Sequence, residues 1–142
     1  MEIKTLNKHH LQSIMQISKQ QFSDGWTTSQ MEEGLMSENY ICLGVFEEEN
    51  LCCYCLALNS LDDINILTIA TEQSYKRKGM ASAIVNKLSQ MAQNQSKTLS
   101  LEVKDKNFAA IAFYEKMGFK KQHIRKKYYK DGSDAIIYFK FL

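Results

Sequence analysis

The chain has 142 residues, with 18 Lys and Arg against 16 Asp and Glu, 44% hydrophobic and 24% charged residues. That length fits one domain, residues 1–142, of ordinary globular composition, and the net charge of +2 gives no argument for a nucleic-acid partner. No apolar run approaches the roughly 18–20 residues of a membrane span, and Met1-Glu2-Ile3-Lys4 lacks the apolar stretch of a signal peptide, so the expectation is a cytoplasmic protein with no membrane partner.

Residues 1–6 form a short edge strand. Residues 9–22 carry Leu11, Ile14, Met15 and Ile17 at helical spacing, extended by Ser18 and Phe22, and Ser23-Asp24-Gly25-Trp26 ends that helix. Thr27 or Thr28 caps a second helix through Met36, with Met31, Leu35 and Met36 as its apolar stripe. Residues 40–46 and 51–58 read as a hairpin across an acidic turn. Residues 64–71 are apolar on both faces, as a central strand is. A long helix follows over 78–93, with Met80, Ala83, Ile84, Leu88 and Met91 inward. Residues 98–103 are the next strand. A short helix runs from the cap Asn107 to Met117, with Gly118 ending it. Strands at 119–129 and 135–141 are joined by the turn Lys130-Asp131-Gly132-Ser133. The order β-α-α-β-β-β-α-β-α-β-β predicts an α/β (mixed α+β) fold, a mixed sheet flanked by helices.

The four cysteines are Cys42, Cys52, Cys53 and Cys55. Strand alternation sends Cys52 to one face and Cys53 and Cys55 to the other, and no histidine lies close in sequence. They read as small buried hydrophobes, with no metal site and no secretory disulfide framework.

Two places carry chemistry. After the central strand ends at Ile69-Ala70-Thr71 come Lys76-Arg77-Lys78-Gly79-Met80-Ala81-Ser82 and the long helix. Small residues, three cations and the positive end of a helix favour a phosphate or pyrophosphate. The plain alternative is a basic, solvated helix start. The pattern is neither a P-loop nor a dinucleotide fingerprint. The second place is Glu102, a carboxylate within an apolar strand, followed by Tyr114 on the stripe of the short helix. On pattern alone Glu102 is either a working carboxylate or a solvent-facing one, and Tyr114 either a working phenol or a core tyrosine.

Lys76-Arg77-Lys78-Gly79-Met80-Ala81 resembles the [Q/R]-x-x-G-x-[G/A] motif of the GCN5-related N-acetyltransferases, with Lys76 in place of Gln or Arg. Residues 101–119 resemble the L-E-V-R-x-x-N-x-x-A-I-x-L-Y-E-x-x-G-F block of the branch that acetylates ribosomal proteins at an N-terminal alanine. Ile124-Arg125-Lys126-Lys127-Tyr128-Tyr129 and Asp134-Ala135-Ile136-Ile137 resemble that branch's I-R-R-x-Y-Y and D-A-I-I, and Trp26 sits where it has H-P-W, with Asp24-Gly25 replacing the first pair. The resemblance covers nearly the whole chain and is strongest over 64–138.

This resemblance implies a mostly antiparallel twisted sheet and acetyl-CoA as co-substrate, with no metal. It implies Glu102 as general base and Tyr114 as general acid. Ile69, Ala70 and Thr71 would pair with the pantetheine arm, Arg77, Lys78, Gly79, Met80, Ala81 and Ser82 would hold the pyrophosphate, and Asn107 would touch the coenzyme. Trp26, Arg125, Tyr128 and Tyr129 would receive the N-terminus of a small-subunit ribosomal protein, although the tyrosine pair reads equally as sheet packing. The competing readings are an acetyltransferase of another amine (polyamine, antibiotic or protein lysine), a non-catalytic coenzyme-A-binding regulator, and a nucleic-acid binder.

Overall fold

Side-chain caps decide where the first helices begin. In the computed structural model, which describes residues 1–142, the Asn7 side chain accepts from the His9 N–H and the His10 ring accepts from the Asn7 N–H at 3.0 Å. This reciprocal cap makes a 3₁₀ turn of Lys8–His10, so the helix expected from residue 9 starts later, as α1 (Leu11–Gln21). Thr27 caps α2 (Thr28–Met36): its hydroxyl accepts from the Gln30 N–H at 3.1 Å, and the Gln30 side chain accepts from the Thr27 N–H at 2.9 Å. Met31 and Gly34 are the buried residues of α2, whereas Met36, expected in the stripe, is 64% exposed. Met36 lies five residues past Met31, about 140° round the helix, while Gly34 and Leu35 stay on Met31's side. A Cβ at Gly34 would stand 2.8 Å from Leu56, so the bare glycine lets α2 lie against the hairpin.

That hairpin is β2 (Tyr40–Glu47) and β3 (Asn50–Asn59), antiparallel, with Glu48 at φ 57° in its turn. The edge strand β1 (Glu2–Thr5) pairs antiparallel with β2. All four cysteines are buried and free. Burial pushes the Cys42 and Cys53 thiols up to about 11, and the Cys53 sulfur takes a hydrogen bond from the Thr71 hydroxyl at 3.3 Å. β4 (Asp63–Thr71) and α3 (Met80–Asn94) follow; with β5 (Thr98–Lys104), β6 (Lys120–Arg125) and β7 (Ala135–Lys140) the strand order is β1-β2-β3-β4-β5-β7-β6.

The chain forms two compact units, Met1–Asn59 with Leu67–Lys87, and Ser60–Ile66 with Leu88–Leu142. In the second, the start of β4 pairs parallel with β5 (Thr98–Lys104), from Asp63 opposite Thr98 to Ile66 opposite Leu101. Asp63 fastens that pairing by accepting from the Thr98 hydroxyl at 2.6 Å and the Ser100 hydroxyl at 2.5 Å. β7 (Ala135–Lys140) runs antiparallel between β5 and β6 (Lys120–Arg125). The Tyr138 hydroxyl donates to Glu115 of α4 (Phe108–Lys116) at 2.9 Å, tying that helix to β7.

Two further expected boundaries move. The long helix starts at Met80 rather than at Lys78, because Gly79 at φ 80° lies outside right-handed helical space. The strand expected through Tyr129 stops at Arg125. Lys127 turns to φ 51° and its N–H bonds the Asp134 carboxylate at 2.9 Å, so Tyr128 and Tyr129 lie in a loop instead of a strand.

Candidate active site

The first unit carries the small-residue loop. The Glu72 side chain accepts from the Ser74 N–H and starts a 3₁₀ turn, Gln73–Tyr75; the Lys78 ammonium then lies 5.3 Å from the centre of the Tyr75 ring. Arg77 at φ 66° and Gly79 at φ 80° bend the backbone before α3. A Cβ added at Gly79 meets no atom within 4 Å. The glycine therefore serves its positive φ and leaves the approach to the backbone open. The first helical bond runs from the Ala83 N–H to the Gly79 carbonyl at 3.0 Å, so Met80, Ala81 and Ser82 contribute the N–H groups of the first turn. Those N–H groups, the helix dipole and exposed Lys76, Arg77 and Lys78 suit a pyrophosphate. Upstream, the end of β4 is held by Ala70, which is buried, and by Thr71 on Cys53, while Ile69 is half-buried.

Trp26 also lies in the first unit. It packs on the core there, edge-on to Tyr40 with ring centres 6.5 Å apart, and lines a cleft of about 340 Å³ with Gln30, Glu33, Gly34, Ser37 and Tyr40. The residues that share this cleft with Trp26 were not marked in the sequence, although the Thr27-x-x-Gln30 cap that shapes its wall was readable there.

In the second unit, Glu102 stands on β5 between the buried Leu101 and Val103 and points away from them. Its carboxylate is 3.5 Å from the Arg125 guanidinium at the end of β6. Arg125 lies over the Tyr128 ring at 5.5 Å, Tyr128 meets Tyr129 edge-on at 5.2 Å, and the Lys104 ammonium sits 5.0 Å from the Tyr129 ring centre. Glu102, Arg125, Tyr128 and Tyr129 thus form one cluster. Burial, then the nearby Glu102 charge, raises the Tyr129 phenol above its usual range. Lys104 and Asp131, which the sequence reading passed over, complete the support. Asp131 pairs with Lys104 at 3.5 Å, and its bonds from the Ser133 hydroxyl and N–H, with that lysine, hold its carboxyl down to about 2.

Tyr114 is the buried residue of α4, and the end of that helix fixes its ring. The Phe119 N–H reaches back to the Tyr114 carbonyl at 3.0 Å, and the Gly118 N–H to the Glu115 carbonyl at 3.1 Å, with Gly118 at φ 97°. That is the Schellman pattern, and its customary apolar contact is the edge-on pair Tyr114–Phe119, 5.5 Å between ring centres. Phe113 flanks Tyr114 at 5.1 Å. Asn107 caps α4 by accepting from the Ala110 N–H at 3.2 Å, so its carbonyl oxygen is structural and its amide N–H groups are the part left to touch a ligand. No group of three His, Cys, Asp or Glu side chains is arranged to hold a metal ion.

Residues 11–119 match the Acetyltransferase (GNAT) family. The chain is 34% identical over 104 residues to the ribosomal protein bS18-alanine N-acetyltransferase of Escherichia coli K12, a match covering 70% of each. The crystal structure of the ribosomal-protein-S18-alanine N-acetyltransferase from Escherichia coli superposes with a TM-score of 0.89 at 28% identity, over 98% of this chain and 92% of that one. An N-alpha-acetyltransferase of Saccharolobus solfataricus is 37% identical over 75 residues, which are 51% of this chain and only 45% of that relative.

Proposed function

The chain belongs to the acetyltransferase (GNAT) family and is an acetyl-CoA-dependent N-acetyltransferase, and from that premise we propose that its acceptor is the N-terminal α-amine, on alanine, of a small-subunit ribosomal protein. The observation that supports this acceptor most is the likeness, over 98% of the chain, to an enzyme of that description. We read residues 1–142 as one catalytic domain working in the cytoplasm.

The chemistry follows from the groups available. An α-amine has a pKa near 8, against about 10.4 for lysine, and is therefore much the easier to deprotonate at neutral pH. Glu102 takes that proton, directly or through a water. The amine nitrogen attacks the thioester carbonyl carbon, and a backbone N–H at the end of β4 stabilises the oxyanion. The C–S bond then breaks, and Tyr114 gives its proton to the departing sulfur. No covalent enzyme intermediate forms, which agrees with the burial of all four cysteines. The loop Arg77–Lys78–Gly79–Met80–Ala81–Ser82 holds the pyrophosphate, Ile69, Ala70 and Thr71 pair with the pantetheine arm, and Asn107 touches the coenzyme. Trp26, Arg125, Tyr128 and Tyr129 receive the acceptor end.

The test is incubation with acetyl-CoA and a peptide beginning with alanine and containing an internal lysine, followed by mass spectrometry. The acetyl group is expected on the α-amine, and the same peptide with that amine blocked is expected to be a poor substrate. Acetylation mainly on lysine, or turnover only with polyamines or aminoglycosides, would replace this acceptor with another amine.

A further inference from the structure

The near-neutral total charge hides a strongly basic edge. Residues 116–130 hold seven Lys and Arg, with His123, and no Asp or Glu, whereas the rest of the chain carries eleven basic against sixteen acidic residues. The fold spreads this segment over the end of α4, the outermost strand β6 and the loop after it, and every residue of β6 is exposed. Lys116, Lys120, Lys121, Lys127 and Lys130 are exposed and form no ion pair; Arg125 and Lys126 are the two that pair, with Glu102 and Asp134.

We propose that this edge docks the phosphodiester backbone of RNA, so that the enzyme meets its acceptor beside RNA rather than as an isolated peptide. The charge is of the complementary sign and lies on side chains reaching into solvent. A β-bulge between Lys121 and His123 breaks the edge ladder, so an acidic peptide cannot add there as a regular strand, and the grip must come from cations. Ile124 is the only apolar side chain on β6 and is 39% exposed, too little to wedge into a lipid surface. The choice of RNA among polyanions rests on the ribosomal-protein reading above; the docking edge itself rests on the charge pattern.

The experiment measures fluorescence anisotropy of the full chain with a labelled 20-nucleotide single-stranded RNA between 50 and 200 mM salt. For four engaged phosphates, log affinity is expected to fall against log salt with a slope of about −3. The variant Lys120→Gln/Lys121→Gln/Lys127→Gln is expected to bind at least about tenfold more weakly, with a slope shallower by about 2. Its acetylation of the free peptide is expected to match the parent, since none of the three residues serves the proposed chemistry. No binding at 50 mM salt, an unchanged slope in the triple variant, or equally tight variant-sensitive binding to phosphatidylserine vesicles or polyglutamate would overturn the proposal. RNA binding of the expected slope by a chain that does not acetylate the peptide would support the docking edge and overturn the acceptor instead.

Discussion

The Arg125 guanidinium lies 3.5 Å from the Glu102 carboxylate, joining the end of an edge strand to the middle of an inner one. About half of the Arg125 side chain and a third of the Glu102 side chain are exposed, so the pair adds little to stability. Under the proposed role of Glu102 as base, its consequence is chemical: an incoming ammonium group would meet a carboxylate that already has a cation beside it, and the two cations would compete for the same oxygens until the amine gave up its proton. The pair would thereby favour an amine that is more readily neutral, as an α-amine is compared with a lysine.

Glu102→Gln keeps the shape and removes the basicity. Turnover is expected to fall, and the loss to shrink as pH rises from 7 to 9, because more of the acceptor amine then arrives already neutral. Thermal stability should stay within about 1 kcal/mol of the parent, as for other exposed pairs. A loss of equal size at every pH would assign Glu102 a positioning role, and no loss would leave it as a surface carboxylate.

Gly79 and Gly132 both have positive φ, at 80° and 84°, and a Cβ at either meets nothing within 4 Å. An added side chain thus strains both backbones alike, by about 1–2 kcal/mol. The expectation is that Gly79→Val weakens acetyl-CoA binding at least tenfold in calorimetry, while Gly132→Val costs similar stability and leaves that affinity unchanged. Equal affinity for the two variants would remove the loop before α3 from the coenzyme site.

These differences in what was legible have a physical pattern. The caps at Thr27 and Asn107 and the glycine stop at Gly118 use partners three to five residues away, and they can be read from neighbouring letters. The end of β6 depends on the Lys127 N–H finding Asp134 across a loop, and the strand pattern of 119–129 gives no sign of it. Glu102 was visible as a carboxylate in an apolar strand. Arg125 was marked too, for the acceptor end, but its pairing with Glu102 was not, because only the β5-β7-β6 order brings the two together. Net charge carries no positional information for the same kind of reason: a sum over the chain is blind to where seven cations gather.

Buried thiols set an alkaline limit on stability. Burial raises Cys42 and Cys53 to about 11, above the roughly 8.5 of an exposed thiol. Between those values the unfolded chain has shed protons that the folded chain keeps, so stability must fall as pH rises from about 8.5 to 11 and is unaffected by these groups below that window. Urea unfolding of the parent and of Cys53→Ala at pH 8 and pH 10 checks the sign. The parent should lose about 1–3 kcal/mol more than the variant over that interval. Identical losses would mean that the thiol titrates as it does in the unfolded chain.

Tyr114→Phe separates chemistry from packing. The ring stays between Phe113 and Phe119 and the helix end is untouched, so the melting temperature is expected to move by no more than a few degrees. The phenol proton is lost, and with it the proposed donor for the departing coenzyme thiolate. Turnover is expected to drop by about 10²–10⁴, the usual worth of a positioned acid, while acetyl-CoA affinity changes little. A second readout tests the role directly. If protonation of the thiolate limits the variant, an acyl donor whose thiol has a lower pKa should recover much of the lost rate, because that leaving group departs without a proton. A loss of stability with turnover per folded molecule intact would return Tyr114 to the core. A rate loss that no donor recovers would mean that the hydroxyl positions the thioester and donates no proton.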